Sequence, residues 1–255
     1  MSIIKEFMEN KLKVKVFETR LKMGKEAARD VSTKIKELLG RQEFVNIIFA
    51  SAPSQNEFLA SLVEETGINW GRINAFHMDE YVGLDEDAPQ RFSHFLKESI
   101  FDKVPFGKVY YMNGNKGDSA FECRRYAGLL ERNPPDIVCM GIGENAHIAF
   151  NDPHVADFHD PLLVKEVNLD EVSRQQQVND GCFTKYELVP EMAITVTVPG
   201  LLQAKSIYCI APGHNKSQAV YHTINSPISE GFPSTVLRKH NNVTLYLDRE
   251  SASKL

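Results

Sequence analysis

The sequence has little of what a disulfide-stabilised, nucleic-acid-binding or membrane protein needs. Its four cysteines form no C-x-x-C pair, so neither a disulfide framework nor a zinc site is indicated. The formal net charge is −5, whereas nucleic-acid-binding proteins usually carry an excess of positive charge. No apolar run approaches the ~20 residues that cross a bilayer, and the charged N-terminal stretch has no signal-peptide core. We therefore expect a cytoplasmic protein without nucleic-acid or membrane partners.

The composition is that of an ordinary globular protein. Hydrophobic residues make up 42% of the 255 residues and charged residues 25%. We find no internal repeat, low-complexity linker or clear boundary along the chain. Because α/β folds often reach about 250 residues as one unit, we predict a single domain over residues 1–255.

Apolar runs typical of strands alternate with helical patterns. Several runs are apolar nearly throughout, as strands buried on both faces are. The runs are 45–50, 73–78, 108–112, 136–142, 193–198, 206–211 and 243–248. The first helical stripe consists of Met23, Ala27, Val31, Ile35 and Leu38. This alternation predicts an α/β fold with a mostly parallel sheet flanked by helices on both faces.

The polar segment 159–187 differs from the rest of the chain because it is short of regular apolar periodicity. A long irregular segment in a compact domain is often a lid or a binding loop. A plain surface excursion would explain the same composition. We predict a lid, with the surface excursion as the alternative.

Polar residues follow the first two of these runs where a ligand would bind. Ligands of open α/β sheets bind beyond the carboxyl ends of the strands. Ser51, Ser54 and Asn56 come after the first run, where a helix N-terminus could bind phosphate or could simply be capped by these side chains. Asp79 and Glu80 come after the second run. They suggest a general base with a partner, or else a salt-bridged turn.

A histidine follows the 136–142 run, in the segment GIGENAHIAFNDP. His147 lies close in sequence to Asn145 and Asp152, and both can accept a hydrogen bond from an imidazole N–H. A histidine held by a carboxylate is a good acid/base catalyst near neutral pH, although a loop histidine is more often only hydrogen-bonded. The G-x-G pattern lacks its third glycine, since Ala146 stands there. We therefore predict no dinucleotide cofactor.

A lysine follows the 206–211 run. Lys216 would stand in the first turn of a helix, where the helix dipole disfavours a cation. A nearby anion would explain this placement, and a solvated surface lysine is the alternative.

The segments HMDEYVGL, GIGENAHIAFNDP and PGHNKSQAV together resemble the glucosamine-6-phosphate deaminase/isomerase family. The related 6-phosphogluconolactonases share the fold but would not be expected to contain DEYVGL or HIAFN. The resemblance implies a modified Rossmann-like α/β fold and conversion of glucosamine 6-phosphate, or of galactosamine 6-phosphate, with loss of ammonia. It implies no cofactor and no metal. Members of the family range from monomers to hexamers, so a homo-oligomer is compatible with it.

The resemblance also implies roles for individual residues. Asp79 matches the base that moves a proton between C2 and C1, and His147 matches the residue that opens the pyranose ring. Asp152 matches the carboxylate that orients this histidine, and Asn145 stands where the family has an aspartate. The substrate-binding candidates are Ser51, Ala52, Pro53, Ser54, Gln55, Glu80, Arg174 and Lys216. Among them, Arg174 is the nearest arginine to the place of a phosphate-binding lid arginine.

Two other functions are compatible with the same residues. His147 could activate water in a 6-phosphogluconolactonase-type hydrolase. The neutral Asn145 would also suit a non-catalytic protein that senses sugar phosphates. Ammonium release, acid release from a lactone, or binding without turnover would separate the three functions.

Overall fold

The computed structural model describes residues 3–114 and 117–255. The strands are β1 (Ile3–Glu9), β2 (Leu12–Phe17), β3 (Val45–Phe49), β4 (Ile73–His77), β5 (Asp79–Tyr81), β6 (Lys108–Tyr110), β7 (Ile137–Met140), β8 (Val164–Asn168), β9 (Met192–Val196), β10 (Ser206–Ile210) and β11 (Val243–Asp248). The α-helices are α1 (Arg20–Leu39), α2 (Asn56–Val63), α3 (Phe92–Leu96), α4 (Ser119–Arg132), α5 (Glu171–Asn179), α6 (Val198–Leu202) and α7 (Ser217–Asn225). Short 3₁₀ turns at Pro53–Gln55 and His214–Lys216 precede α2 and α7.

The larger of two sheets contains eight strands in the order β1-β2-β11-β10-β7-β3-β4-β6. The β1–β2 pair is antiparallel, and the other neighbouring pairs of the described chain are parallel. This topology confirms the predicted α/β fold with a mostly parallel sheet. The loops that follow β3, β4, β7 and β10 consequently lie along one edge of the sheet.

Helices cover both faces of this sheet, as the alternation predicted. On β3, Ile47 and Phe49 face the layer that contains α1 and α2, whereas Ile48 faces the layer that contains α4 and α7. Successive side chains of a strand point to opposite faces, so one short apolar run contributes to both cores. The first helical stripe is buried along α1, from Met23 to Leu38.

A second sheet contains three antiparallel strands in the order β5-β9-β8. The 193–198 run was expected in the parallel sheet, and that prediction was wrong, because β9 pairs with β5 and β8 instead. Strand β5 begins two residues after β4 ends, so the chain passes from the large sheet to the small one at Met78. Asp79 and Glu80 therefore lie on a strand and not in a turn.

The segment 159–187 is more regular than its composition indicated. It contains β8 and α5, and α5 is capped by the Asp170 side chain, which accepts a hydrogen bond from the Val172 N–H. The inward face of α5 carries Ser173, Gln176 and Gln177, which are polar. Helix α5 was not predicted, because a helix whose buried face is polar shows no apolar periodicity.

The β1–β2 hairpin is a further element that was not predicted from the sequence. The LKVKVF stretch alternates strictly, and Leu12, Val14 and Val16 are buried while Lys13 and Lys15 are half-buried. Alternation of this kind is the usual signal of a strand, and it was present in the sequence. Separately, no helix of the described residues is both long enough and apolar enough to cross a membrane.

Candidate active site

A small cavity lies where the segments that follow β3, β4, β7 and β10 meet. Six of the predicted site residues line it: Ser51, Ala52, Ser54, Asp79, His147 and Lys216. The parallel sheet therefore brings together side chains that are up to 165 positions apart in the sequence (Ser51 and Lys216).

Asp79 presents a buried carboxyl group to this cavity, with 7% of the residue exposed. Within residues 3–114 and 117–255, no hydrogen bond or ion pair reaches its side chain. Burial, and then the negative charge of Glu80, raise the pKa of Asp79 well above its ordinary value. A carboxylate with a raised pKa in a dry site is suited to take a proton from carbon and to return it.

His77 holds the backbone of Asp79 in place. The Met112 N–H donates to Nε2 of His77 over 2.8 Å, so that nitrogen is the acceptor. The proton of the neutral ring is therefore on Nδ1, which donates to the Asp79 carbonyl oxygen over 2.8 Å. Burial lowers the pKa of His77, which keeps the ring neutral. This role of His77 was not predicted, because the residue lies inside the apolar run 73–78.

Glu80 points away from the cavity, contrary to its predicted contact with substrate. Its carboxylate accepts hydrogen bonds from the N–H groups of Tyr81, Phe92 and Ser93, each over 3.0 Å. Arg91 lies 3.7 Å from the same carboxylate. Adjacent residues of a strand face opposite sides, so the placement of Asp79 in the cavity directs Glu80 towards α3.

The His147 ring is held by three oxygen-bearing side chains through one nitrogen. Its Nδ1 lies 2.8 Å from Asn145 Oδ1, 2.9 Å from Asp152 Oδ1 and 2.8 Å from Ser173 Oγ. A ring nitrogen that faces a carboxylate carries the proton, so the neutral ring keeps its lone pair on Nε2. Nε2 is then the atom that exchanges protons with a ligand in the cavity.

Asp152 stays ionised beside this ring. It is fully buried, which by itself raises its pKa. The positive charge of His147 and hydrogen bonds from His147, Ser173 and Asn145 outweigh burial and hold its pKa below the ordinary value. Asn145 Nδ2 donates to Asp152 Oδ1 over 3.0 Å, so the predicted histidine partners also contact each other.

The turn that carries His147 is sterically restricted. A Cβ atom on Gly143 would lie 2.1 to 2.4 Å from three atoms of the imidazole ring, so this position needs glycine. Ala146 and Ala149 have φ values of 66° and 47°, in the left-handed region that costs side-chain-bearing residues energy. The Ser234 N–H donates to the Ala146 carbonyl oxygen over 2.8 Å and helps to hold the turn in this conformation.

Strand β9 supports both Asp79 and the His147 turn. Thr195 pairs with Asp79 across the small sheet, and its hydroxyl oxygen accepts a hydrogen bond from the Phe150 N–H over 3.0 Å. Asn151 Nδ2 donates to the Val196 carbonyl oxygen over 2.9 Å. The base candidate and the histidine turn are therefore attached to neighbouring residues of one strand.

The part of the cavity lining formed by Lys216 and Ser51 is suited to an anion. Lys216 is 4% exposed, and none of the described residues forms a hydrogen bond or ion pair with its ammonium group. Burial lowers the pKa of Lys216, and the negative charges of Asp180 and Glu144 oppose this effect only in part. The buried Ser51 hydroxyl has no partner within the described chain. A buried ammonium group and an unpartnered hydroxyl in one cavity would both be satisfied by a phosphate.

Two neighbouring substrate-binding candidates, Pro53 and Gln55, do not line the cavity. Pro53 begins a 3₁₀ turn, and its carbonyl oxygen accepts a hydrogen bond from Arg20 over 3.1 Å. Gln55 donates from Nε2 to Ser54 Oγ over 3.0 Å and to the Ile210 carbonyl oxygen over 3.2 Å. Gln55 thus holds the loop against the end of β10.

Arg174 also lies outside the cavity, so its predicted phosphate contact is not present here. Its guanidinium group donates to the Val189 carbonyl oxygen over 2.8 Å and lies over the Tyr186 ring at 4.3 Å. The neighbouring helix positions Gln176 and Gln177 line the cavity instead. Together with Ser173 they have the i, i+3, i+4 spacing of one helix face, a signal that could have identified them.

Within the described chain, one group of side chains is close enough to hold a metal ion. It consists of Asp157, His159 and Glu230, whose ligand atoms lie within 4.8 Å of one another. Asp157 and His159 are exposed, and none of the three residues lines the cavity. The proton chemistry that Asp79 and His147 can perform therefore does not involve this group.

Residues 18–246 match the family model described as glucosamine-6-phosphate isomerases/6-phosphogluconolactonase. The chain belongs to this family. Glucosamine-6-phosphate deaminases of Bacillus thuringiensis (strain Al Hakam) and Bacillus cereus (strain AH820) are each 36% identical to it over 219 residues. Each alignment covers 86% of this chain and 81% of the relative. The resemblance identified from the three sequence segments is thereby confirmed.

Solved structures of the family agree with the observed fold. One described as a monomeric glucosamine-6-phosphate deaminase has a TM-score of 0.87 and 29% identity, covering 95% of this chain and 99% of that chain. A 6-phosphogluconolactonase from Thermotoga maritima has a TM-score of 0.75 and 18% identity, covering 93% and 100% respectively. At that identity the second match shows a shared fold only.

A substitution of Glu80 will distinguish a structural role from substrate binding. Glu80→Gln replaces one acceptor oxygen by an NH₂ group that faces an N–H, and it leaves Arg91 without its buried partner. We expect a loss of ~2–4 kcal/mol in the free energy of unfolding, measured by urea denaturation, with an unchanged KM. Glu86→Gln, at an exposed position nearby, is the control. An increased KM with unchanged stability would instead assign Glu80 to the substrate.

A substitution of Lys216 tests the anion site without any assay of turnover. Lys216→Met removes a buried, unpaired charge, and a gain of ~1 kcal/mol would raise Tm by roughly 2–4 °C. Inorganic phosphate should raise the Tm of the unchanged protein in a concentration-dependent way and should not raise that of the variant. Lys185→Met, at an exposed position, should behave like the unchanged protein. Equal phosphate effects in all three proteins would exclude an anion site at Lys216.

Proposed function

We propose that this protein converts glucosamine 6-phosphate and water to fructose 6-phosphate and ammonia. One observation carries the proposal: Asp79, His147 and Lys216 line the same cavity. The deaminases that are 36% identical to the chain support the same reaction. Galactosamine 6-phosphate, which differs in the configuration at C4, is the alternative substrate.

His147 is the group that opens the sugar ring in this proposal. Nε2 takes the proton of the anomeric hydroxyl and delivers a proton to the ring oxygen, which yields the open-chain aldehyde. The imidazolium formed between these steps is stabilised by the Asp152 carboxylate, 2.9 Å from Nδ1. General acid–base catalysis of this kind contributes about 10²–10⁴-fold in rate.

Asp79 performs the isomerisation. Its carboxylate removes the proton from C2 of the open chain and returns it to C1 of the resulting enolamine. Over the two steps the aldehyde oxygen gains a proton and the amino group loses one, so the product is an imine at C2, which water hydrolyses to fructose 6-phosphate and ammonia. The raised pKa of Asp79 favours this role, because a more basic carboxylate is better matched to a weakly acidic C–H group.

Lys216 and Ser51 bind the 6-phosphate in this proposal. An ammonium group that is already desolvated binds a phosphate without a further large cost of removing water. Binding at this end places C1, C2 and the ring oxygen near Asp79 and His147. No cofactor or metal takes part in the proposed reaction, and the free cysteines fit a reducing, cytoplasmic setting.

A comparison of substrates separates the proposed reaction from its alternatives. The purified protein should release ammonium from glucosamine 6-phosphate and should not release acid from 6-phosphogluconolactone. The reverse result would favour the lactonase reaction, in which His147 would activate water. A rise in Tm with hexosamine phosphates but no turnover would favour a sugar-phosphate sensor.

Asp79→Asn should lower kcat by about 10²–10⁴-fold while the Kd for the sugar phosphate stays nearly constant.

Because the pKa of Asp79 is raised, the acidic limb of the kcat/KM profile should lie well above pH 4. The native state binds the proton of the Asp79 carboxyl group more tightly than the unfolded state does. The free energy of unfolding therefore falls as the pH rises through the raised pKa of Asp79. The variant should therefore be more stable than the unchanged protein at neutral pH.

The measurements are a pH profile of kcat/KM, calorimetric titration with the sugar phosphate, and urea denaturation. Glu86→Gln serves again as the matched carboxylate-to-amide control at an exposed position. A variant that loses turnover, binding and stability together would contradict the assigned role, because that result indicates a folding defect.

A further inference from the structure

The hydroxyl group of Ser173 lies between the two members of the His147–Asp152 pair. Ser173 is 1% exposed, and its Oγ lies 2.8 Å from Nδ1 of His147. The same hydroxyl donates a short hydrogen bond to Asp152 Oδ1. Since its single proton is used for Asp152, its oxygen accepts from Nδ1–H of His147. One side chain therefore contacts both the ring and the carboxylate.

This hydroxyl comes from a separate part of the chain. Asn145, His147 and Asp152 belong to one turn, whereas Ser173 belongs to α5, in the segment 159–187. The N-cap residue of the same helix, Asp170, donates its N–H to Asp152 Oδ2 over 3.3 Å. The two carboxylate oxygens of Asp152 thus each accept a hydrogen bond from the first turns of α5.

A further contact fixes α5 against the His147 turn. Oε1 of Gln176 accepts a hydrogen bond from the Glu144 N–H over 2.9 Å. Gln176 and Gln177 also line the cavity beside His147. When α5 occupies this position, it closes one wall of the cavity and completes the hydrogen bonds around Nδ1 at the same time.

We propose that Ser173 is a positioning residue that fixes the orientation of the His147 ring. Without its hydroxyl, Nδ1–H would still face Asn145 and Asp152, but the side of the ring that α5 covers would lose its acceptor. Asp152 would also lose one of the hydrogen bonds that keep its pKa low. Because Ser173 arrives with α5, the pair is complete only while α5 is docked. The effect on turnover rests on the proposed function, whereas the effect on the ring does not.

The first test observes the ring directly and needs no substrate. Long-range ¹H–¹⁵N spectra of ¹⁵N-labelled protein report which imidazole nitrogen is protonated, and a spectrum of His147→Gln identifies the His147 signals. In the unchanged protein at a pH where the ring is neutral, we expect a protonated Nδ1 and an unprotonated Nε2. In Ser173→Ala the Nδ1 and Nδ1–H signals should shift, because this N–H group has lost one of its acceptors. Identical His147 signals in both proteins would overturn the proposal.

The second test measures kinetics in matched variants. Ser173→Ala should lower kcat by about tenfold, the effect of one lost hydrogen bond, while KM changes by less than about twofold. Ser173→Thr keeps a hydroxyl at the same place and should recover most of the activity and the original ¹⁵N signals. Gln175→Ala, on the exposed side of α5, should leave both unchanged.

The outcomes are distinguishable. An increase in KM alone, or an equal loss of kcat in Gln175→Ala, would overturn the positioning role, since either points to a general effect on α5. If the unchanged protein does not turn over glucosamine 6-phosphate, the proposed reaction fails, and the ¹⁵N spectra still decide whether Ser173 positions His147. Near-UV circular dichroism verifies that each variant is folded, and Ser173→Cys, which replaces the hydroxyl group by a thiol of similar volume, carries the test if Ser173→Ala is not folded.

Discussion

The parallel pairing of β3, β4, β7 and β10 is the constraint on which the site depends. Parallel strands end along the same edge of a sheet, so the loops that follow them must meet there. The segments that follow these strands carry Ser51, Asp79, His147 and Lys216, which are distant in sequence. The interior cores on both faces of the sheet hold this arrangement, and the polar residues at the edge contribute little to it. Several of those polar residues are buried without full compensation, a cost that the apolar layers offset.

The chemistry of the cavity follows from the way each charge is compensated. Asp152 has several hydrogen-bond donors and remains ionised, whereas Asp79 has none among the described residues and its pKa rises. Lys216 is likewise buried without a counter-ion in the described chain, and its pKa falls. The pKa values of these two carboxyl groups thus shift in opposite directions, because one group is surrounded by donors and the other is not. Burial alone would have raised the pKa of both.

Much of the site could be predicted from the sequence because it depends on short-range features. Strand-like runs and the residues directly after them predicted Asp79, His147 and Lys216. Glu80 and Arg174 were assigned to the cavity because proximity in sequence was taken for proximity in space. Alternation along β5 turns Glu80 away, and helical rotation along α5 turns Arg174 away. Ser173 and His77 were missed because their partners, His147 and Met112, lie 26 and 35 positions away in the sequence.

The attachment of Asp79 and the His147 turn to β9 has a mechanical consequence. Asp79 pairs with Thr195, and the loop after His147 is bonded to Thr195 and Val196. A displacement of β9 would therefore be transmitted to Asp79 and to the His147 turn together. Ser51 and Lys216 follow β3 and β10 of the large sheet instead.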